Sequence, residues 1–324
     1  MILLLGASGY MGQAFATELR RRRYSFIPLT RKAIEYSDFA ILFDYVRKIK
    51  PEFVINAAGY PGHPNVDACE PAREETLYAN TLLPQTIARA CMMVGVPWGH
   101  ISSACVYRGA KLASGNGNGK PQIVEGAALR KLFAENPEEL RGYSEWDEPN
   151  FSFRHGPCNF YSGTKALAEE SIRGLGEGYI WRPGMPFNER GEPRNFLWRI
   201  QHYAKVYDGV NSLSYLDDFV RACLDLWEKR APFGIYNLTN PGAVSTRQVI
   251  GMIQRTLRPN RNFEFWESDE AFYRHGARAP RSNCIVDVSK LLATGVKMRP
   301  VEEALENSLR NWSPATAVAE LAQL

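Results

Sequence analysis

Seven residues near the start of the chain, Gly6-Ala7-Ser8-Gly9-Tyr10-Met11-Gly12, constrain its fold more than any other stretch. They follow the unbroken apolar run Ile2 to Leu5, which reads as a central parallel strand buried on both faces. A helical pattern over 10–23 follows them, with Phe15 and Leu19 on one face. Glycines at this spacing let the chain turn tightly and let its backbone approach a ligand closely. The helix N-terminus behind them presents N–H donors. A chain that opens as strand, glycine loop and helix is committed to a βαβ unit, so the next question is whether the alternation continues.

It does. Phe26 to Leu29 reads as a second strand, Asp38 to Lys50 as an amphipathic helix stopped by Pro51, and Phe53 to Asn56 as a third strand. A long helical stretch from about Arg73 to Val94 leads to a strand near Gly99 to Ser102. The expected fold is α/β, a Rossmann-type doubly wound parallel sheet with a smaller C-terminal substrate-binding lobe. Residues 108–150 interrupt the rhythm. Gly115, Asn116, Gly117, Asn118 and Gly119 suggest a flexible loop and Ala128 to Leu140 a short helix, so this insertion is expected near the mouth of the substrate site. A helix then opens at Phe160, a strand covers Tyr179 to Arg182, and Ser245 with Gln248 forms a capping box for a helix running to Leu257. No internal repeat is found. The expected division is a nucleotide-binding domain over 1–182 plus about 214–240, and a lobe over 183–213 and 241–324.

The bulk numbers exclude several classes. With 45% hydrophobic residues in 324, a large core is available. A net charge of +4 is too small and too dispersed for a nucleic-acid binder, and the run Arg20 to Arg23 reads as a solvated helix C-terminus. Six cysteines at irregular spacing offer neither a CxxC pair nor a zinc set, so a reduced, cytoplasmic chain without a metal is expected. Met1 to Leu5 is too short for a signal peptide or a membrane span.

At the first strand–helix turn, Gly6, Ser8, Gly9, Tyr10, Met11 and Gly12 are candidates to cradle a dinucleotide pyrophosphate, with a purely structural turn as the alternative. NAD-specific folds place an acid after the second strand for the ribose hydroxyls. Here Leu29-Thr30-Arg31-Lys32 stands instead, and two cations suit a 2′-phosphate. NADP(H) is therefore the expected cofactor, with NAD(H) and a merely solvated basic turn left open.

Tyr161 and Lys165 are four residues apart and share a helix face. A fixed cation favours the phenolate of a tyrosine, whose ordinary pKa near ~10 is too high for proton transfer at neutral pH. Ala57-Ala58-Gly59 follows the third strand and Ser102-Ser103 the next. Together with the glycine loop, these residues resemble the extended short-chain dehydrogenases/reductases. That resemblance implies that Ser103 polarises a substrate carbonyl, that Tyr161 donates the proton, that Lys165 tunes it and holds the cofactor ribose, and that Asn80 supports the site.

Further segments narrow the resemblance: Asn56 to Gly59 through Pro64-Asn65-Val66-Asp67 and Cys69-Glu70; Phe160 to Lys165; Pro193-Arg194-Asn195-Phe196; Ile235 to Gly242; and Ala279 to Asn283. They resemble 4-keto-6-deoxy sugar-nucleotide reductases, above all the bifunctional 3,5-epimerase/4-reductases of UDP-L-rhamnose synthesis. The likeness implies a UDP- or dTDP-linked keto-sugar substrate, no nucleic-acid or membrane partner, and the homodimer common in the family. Arg194 and Arg281 suit a nucleotide diphosphate, though either serves a surface ion pair equally well. Asn195 and Asn211 are candidate readers of sugar hydroxyls or loop caps. Cys105 matches the epimerase cysteine. The second epimerase position, a lysine in the family, holds Arg199, which stays protonated and serves poorly as a base but could steady an enolate. His202, one turn on, is the alternative proton carrier. A non-catalytic cofactor-binding subunit and a 4-epimerase or dehydratase of the same fold are the competing functions.

Overall fold

The computed structural model describes residues 1–113 and 122–314. Its central sheet contains β1 (Ile2–Leu5), β2 (Phe26–Leu29), β3 (Phe53–Asn56), β4 (Trp98–Ile101), β5 (Gly178–Arg182) and β6 (Gly234–Asn237). The spatial order is β6-β5-β4-β3-β1-β2, and every pairing is parallel. From β1 the chain moves outward to β2 and then crosses back to β3 on the other side of β1. The strand order reverses between β1 and β3, and in open α/β sheets ligands bind beyond the carboxyl ends of the strands at such a reversal.

Side chains alternate along β1, so its two faces feed two cores. Ile2 and Leu4 pack with Phe15 and Leu19 of α1 (Tyr10–Arg21), Trp181 of β5, and Phe219 and Val220 of a helix considered below. Leu3 and Leu5 pack with Leu42 and Val46 of α2 (Phe39–Ile49) and with Ile87 and Cys91 of the long helix α3. That helix runs from Arg73 to Val94 and carries a π turn at Tyr78–Leu82, which the sequence pattern did not reveal. All four β1 residues are fully buried, as the apolar run predicts.

The insertion is more built than a flexible loop with a helix. Ala110–Leu112 lies between Ile123–Val124 and Leu140–Arg141 in a small antiparallel sheet. Its helix, α4 (Gly126–Glu135), begins and ends earlier than expected. Leu129 of α4 packs on Val210, Ala243 and Ile285. Asp269 ties the insertion down: it pairs with Arg130 at 2.8 Å and accepts from the Ala127 N–H at 3.1 Å. The stretch Gly115 to Gly119 lies outside the described residues.

After the insertion come α5 (Phe160–Ile172), β5, α6 (Phe196–His202) and α7 (Leu216–Glu228), the helix that covers β1 with α1. A separate core gathers Phe187, Leu197, Ile200, Leu213, Val249, Ile253 and Leu305. Ser245 and Gln248 form the expected capping box. One expectation is corrected here. Arg22, in the basic run read as solvated, is mostly buried and bridges Glu18, Asp225 and Glu228 at 2.7–2.8 Å, which rivets α1 to α7. No helix among the described residues is long and apolar enough to cross a membrane.

Candidate active site

The glycine loop sits at the strand-order reversal, and its three glycines do different work. Gly6 has φ 73°, and a side-chain carbon there would lie 2.5 Å from the Ala58 nitrogen. That close approach joins the loop after β1 to Ala57-Ala58 after β3. At Gly12 the same carbon would meet the Gly6 carbonyl oxygen at 2.1 Å, so glycine lets α1 pack onto the loop. Gly9 is different: nothing lies closer than the Gly6 oxygen at 3.4 Å, and the next atom is Nη1 of Arg194 at 4.0 Å. Gly9 is also the N-cap of α1 and supplies no side-chain cap to the first-turn N–H groups. Ser8 is exposed, and its carbonyl accepts from the Gln13 amide at 2.9 Å. The Tyr10 side chain is buried in the core and Met11 packs, half-buried, against it.

Arg31 and Lys32 lie exposed on the turn after β2, where the Ala33 and Ile34 N–H groups donate to the Thr30 carbonyl at 3.0 and 3.2 Å. Tyr36 links this turn to the glycine loop. Burial pushes its hydroxyl pKa up, while the Arg31 guanidinium and the Gly6 backbone act against that rise.

The proton-transfer residues converge from two elements. Ser103 follows β4, and its Oγ accepts from the Cys105 N–H at 3.1 Å, capping a short turn. Tyr161 and Lys165 come from α5. The N-terminus of α5 is held by Asn159, which accepts from the Ser162 N–H at 2.7 Å, and by Glu70, which accepts from the Phe160 N–H at 2.8 Å. Lys165 donates to the Ile101 carbonyl at 3.0 Å, and its ammonium lies 6.0 Å from the Tyr161 ring centre. Burial pushes the Tyr161 hydroxyl up, the nearby Cys105 adds to the rise, and a hydrogen bond with Ser103 opposes it. Burial lowers Lys165 to about 8, against the attraction of Glu169. Gly59 lets the parts meet: a side-chain carbon there would stand 3.2 Å from Asn80 Oδ1 and 3.5 Å from the Lys165 ammonium. Asn80, presented by the π turn, clamps the Tyr60 backbone on both sides at 2.8 Å.

Behind these residues lies a buried network the sequence reading missed. Glu169, one turn beyond Lys165, accepts from Ser102 Oγ at 2.5 Å and pairs with Arg182 at 2.5 Å. Arg182 also donates to the Tyr107 hydroxyl at 2.8 Å. The i, i+4 spacing from Lys165 to Glu169 was the available signal.

Of the candidate substrate residues, Asn195 is corrected. It is fully buried, and its amide is spent on the carbonyls of Asn188 (2.8 Å) and Arg190 (2.6 Å) and on the Leu197 N–H (3.0 Å). It is a cap with no capacity left for a sugar. Asn211 is likewise engaged, with Asn283 at 3.1 Å. Arg281 is gripped by Asp67 through both terminal nitrogens at 2.6 Å, the ion-pair alternative. Arg199 acts on the buried Tyr10 hydroxyl near the glycine loop, and its Nε has no partner among the described residues. His202 is exposed, stacks on Trp198 at 3.8 Å and bonds the Trp198 carbonyl at 2.7 Å, so it is occupied on its own helix. Arg194 makes no hydrogen bond or ion pair among the described residues and stands over Gly9.

A family model described as the RmlD substrate binding domain matches residues 1–313. A bifunctional dTDP-4-dehydrorhamnose 3,5-epimerase/dTDP-4-dehydrorhamnose reductase of Arabidopsis thaliana is 31% identical over 267 residues, 80% of this chain and 77% of that protein. A trifunctional UDP-glucose 4,6-dehydratase/UDP-4-keto-6-deoxy-D-glucose 3,5-epimerase/UDP-4-keto-L-rhamnose-reductase of the same organism is 30% identical over 308 residues. The match takes in 94% of this chain, which spans about two fifths (41%) of that relative's length. Among solved structures, the L780 UDP-rhamnose synthase of Acanthamoeba polyphaga mimivirus gives a TM-score of 0.79 at 21% identity, over 96% of this chain and 98% of that one. A dTDP-4-dehydrorhamnose reductase of Bacillus anthracis, solved in complex with NADP, gives 0.73 at 22% identity, over 96% and 97%. At these identities the structural likeness speaks for the fold.

Proposed function

The chain belongs to the family of the RmlD substrate binding domain, and from that premise we propose that it reduces the C4 ketone of a nucleotide-linked 4-keto-6-deoxyhexose with NADPH. The observation that carries the reading is the convergence of Tyr161, Ser103 and Lys165 beside the glycine loop. The cradle suits a dinucleotide: Gly9 leaves room for a pyrophosphate at the uncapped N-terminus of α1, and Arg31 and Lys32 are exposed on the turn after β2. Bound NADPH supplies the hydride to C4.

The chain's own residues do the rest. Ser103, held by the Cys105 N–H and hydrogen-bonded to Tyr161, is positioned to turn its hydroxyl hydrogen onto the substrate carbonyl. Donors fixed in advance where negative charge develops stabilise the transition state. Tyr161 donates the proton to the forming alkoxide; in the cofactor-free protein burial holds its pKa up, opposite to the lowering expected from the sequence. Lys165, anchored on the Ile101 carbonyl, supplies the nearby positive charge that stabilises the tyrosinate left behind. Gly59 and Asn80 shape the space in which the lysine reaches the cofactor ribose.

Cys105, close to Tyr161, favours a second reading in which the enzyme also exchanges protons beside the ketone. Such exchange needs a second proton carrier on the opposite face of the sugar. Arg199 stands by Tyr10 and His202 on Trp198, so neither supports that role. Reduction is the primary activity.

The test incubates the protein with NADPH and UDP- or dTDP-4-keto-6-deoxyglucose in deuterated water, with and without a separate 3,5-epimerase. NADPH oxidation in at least one arm is expected, and none in any arm would refute the reductase. Deuterium at C3 and C5 without the added epimerase would establish the second reading; oxidation without it would remove that reading. Binding of NADPH with no turnover, together with a stable partner protein, would point to a regulatory subunit. Cofactor carried through purification would point to a 4-epimerase or dehydratase.

A further inference from the structure

Arg194 comes from the turn before α6, which belongs to the separate core of Phe187 and Leu197, yet its guanidinium lies over the glycine loop of the parallel sheet. We propose that Arg194 is a cofactor-binding residue that closes over the NADP(H) pyrophosphate from the opposite lobe. This rests on the reading of the glycine loop as the NADP(H) cradle.

Three observations carry it. First, the place is specific: Arg194 Nη1 is 4.0 Å from where a Gly9 side-chain carbon would stand. Gly9 is the one loop glycine whose missing side chain leaves space, whereas Gly6 and Gly12 are filled by neighbouring backbone. Second, Arg194 is unspent. Among the described residues it has no hydrogen bond and no carboxylate in ion-pair range, while Arg281, the other candidate for a diphosphate, already holds Asp67 bidentately. Glu192 feels the Arg194 charge, but burial raises its pKa and it forms no ion pair with Arg194. Third, the place suits an anion. The N-terminus of α1 is the positive end of a helix dipole, where a cation is repelled and an anion attracted. A dianion between that helix end and the guanidinium would satisfy both, and guanidinium suits paired phosphate oxygens.

The geometry also explains the fully buried Asn195. Its amide fastens the turn to Asn188 and Arg190, and the Asn195 N–H donates to the Glu192 carbonyl at 2.9 Å. The backbone that presents Arg194 is therefore held in place before any ligand binds. One consequence is mechanical: a bound pyrophosphate would tie the second lobe to the sheet.

The experiment uses the full chain and titrates wild type, Arg194→Ala and Arg31→Ala with NADP+, with adenosine 2′-monophosphate, which lacks the pyrophosphate, and with UDP. For Arg194→Ala, NADP+ should bind about ten- to a hundredfold more weakly, the scale of a lost charge-assisted hydrogen bond. Adenosine 2′-monophosphate and UDP should be unaffected, whereas Arg31→Ala should weaken adenosine 2′-monophosphate as well as NADP+. Unchanged NADP+ affinity would overturn the proposal. So would an equal loss on adenosine 2′-monophosphate, which would mark a general charge or folding effect, and so would a loss confined to UDP, which would give Arg194 to the substrate. Failure of wild type to bind NADP+ would refute the cofactor cradle itself. Arg194-dependent NADP+ binding without turnover of any keto-sugar would leave this assignment standing while the reductase fell.

Discussion

Glu169 and Arg182 close on each other inside the protein at 2.5 Å, their side chains 4% and 1% exposed, directly behind the lysine and serine of the site. The carboxylate also takes the Ser102 hydroxyl, next to Ser103. Removing one partner of a buried pair strands the other's charge, which costs roughly 3–5 kcal/mol. Glu169→Gln should therefore lower unfolding free energy by about that much in urea titrations. The double variant Glu169→Leu/Arg182→Met should cost far less than the sum of its parts. A single-variant loss below about 1 kcal/mol, as for an exposed pair, would contradict the burial.

Gly6 and Gly9 separate folding from binding. Alanine at Gly6 would take a left-handed φ of 73° and press on the Ala58 backbone, so Gly6→Ala should destabilise the protein itself, by about 1–3 kcal/mol. Alanine at Gly9 meets nothing closer than 3.4 Å, so Gly9→Ala should melt like wild type. It should nonetheless bind NADP+ at least about tenfold more weakly, because the methyl fills the pyrophosphate space. Calorimetry beside a binding titration distinguishes the two variants; equal melting temperatures would contradict the strain at Gly6.

The parts of this site that are local in sequence were legible. A strand running into a glycine loop, and Tyr161 four residues before Lys165 on one helix face, follow from short-range geometry. Capping at Ser245 is local too. What escaped depends on partners that no short-range pattern specifies. Asn195 is exhausted by Asn188 and Arg190, which stand close in sequence but in an irregular turn without periodicity. Arg281 looks as free as Arg194 until Asp67, far back in the chain, is found against it. Arg22 looks solvated until α7 arrives beside it. The insertion was hardest, since strands of two or three residues carry too little periodicity to be seen before they pair.

Cofactor preference turns on Arg31. It lies beside the glycine loop through Tyr36 and has no ion pair among the described residues, and Lys32 follows it on the same exposed turn. Arg31→Ala should lower kcat/KM for NADPH by roughly ten- to a hundredfold, the scale of a charge-assisted hydrogen bond. The value for NADH, which lacks the 2′-phosphate, should hardly change. Steady-state kinetics with both cofactors decide it; a parallel fall for NADH would mean that Arg31 shapes the loop and does not read the phosphate.

Lys165 gives the site a pH signature. Burial lowers it to about 8 from the 10.5 it has when unfolded. Between these values the unfolded chain holds a proton that the folded chain has released, so Lys165 makes stability rise with pH across that window. The cost of burying its charge is fully present below about 8 and gone above 10.5. Unfolding free energies of cofactor-free protein should therefore show a positive pH slope over this range that Lys165→Met lacks, with other titrating groups cancelling between the two. Activity should move the opposite way. The kcat/KM for NADPH reports groups of the free enzyme, so it should fall as pH rises through about 8 and the lysine cation is lost. Wild type and Lys165→Met with the same stability slope would show that the lysine keeps its ordinary pKa in the folded protein.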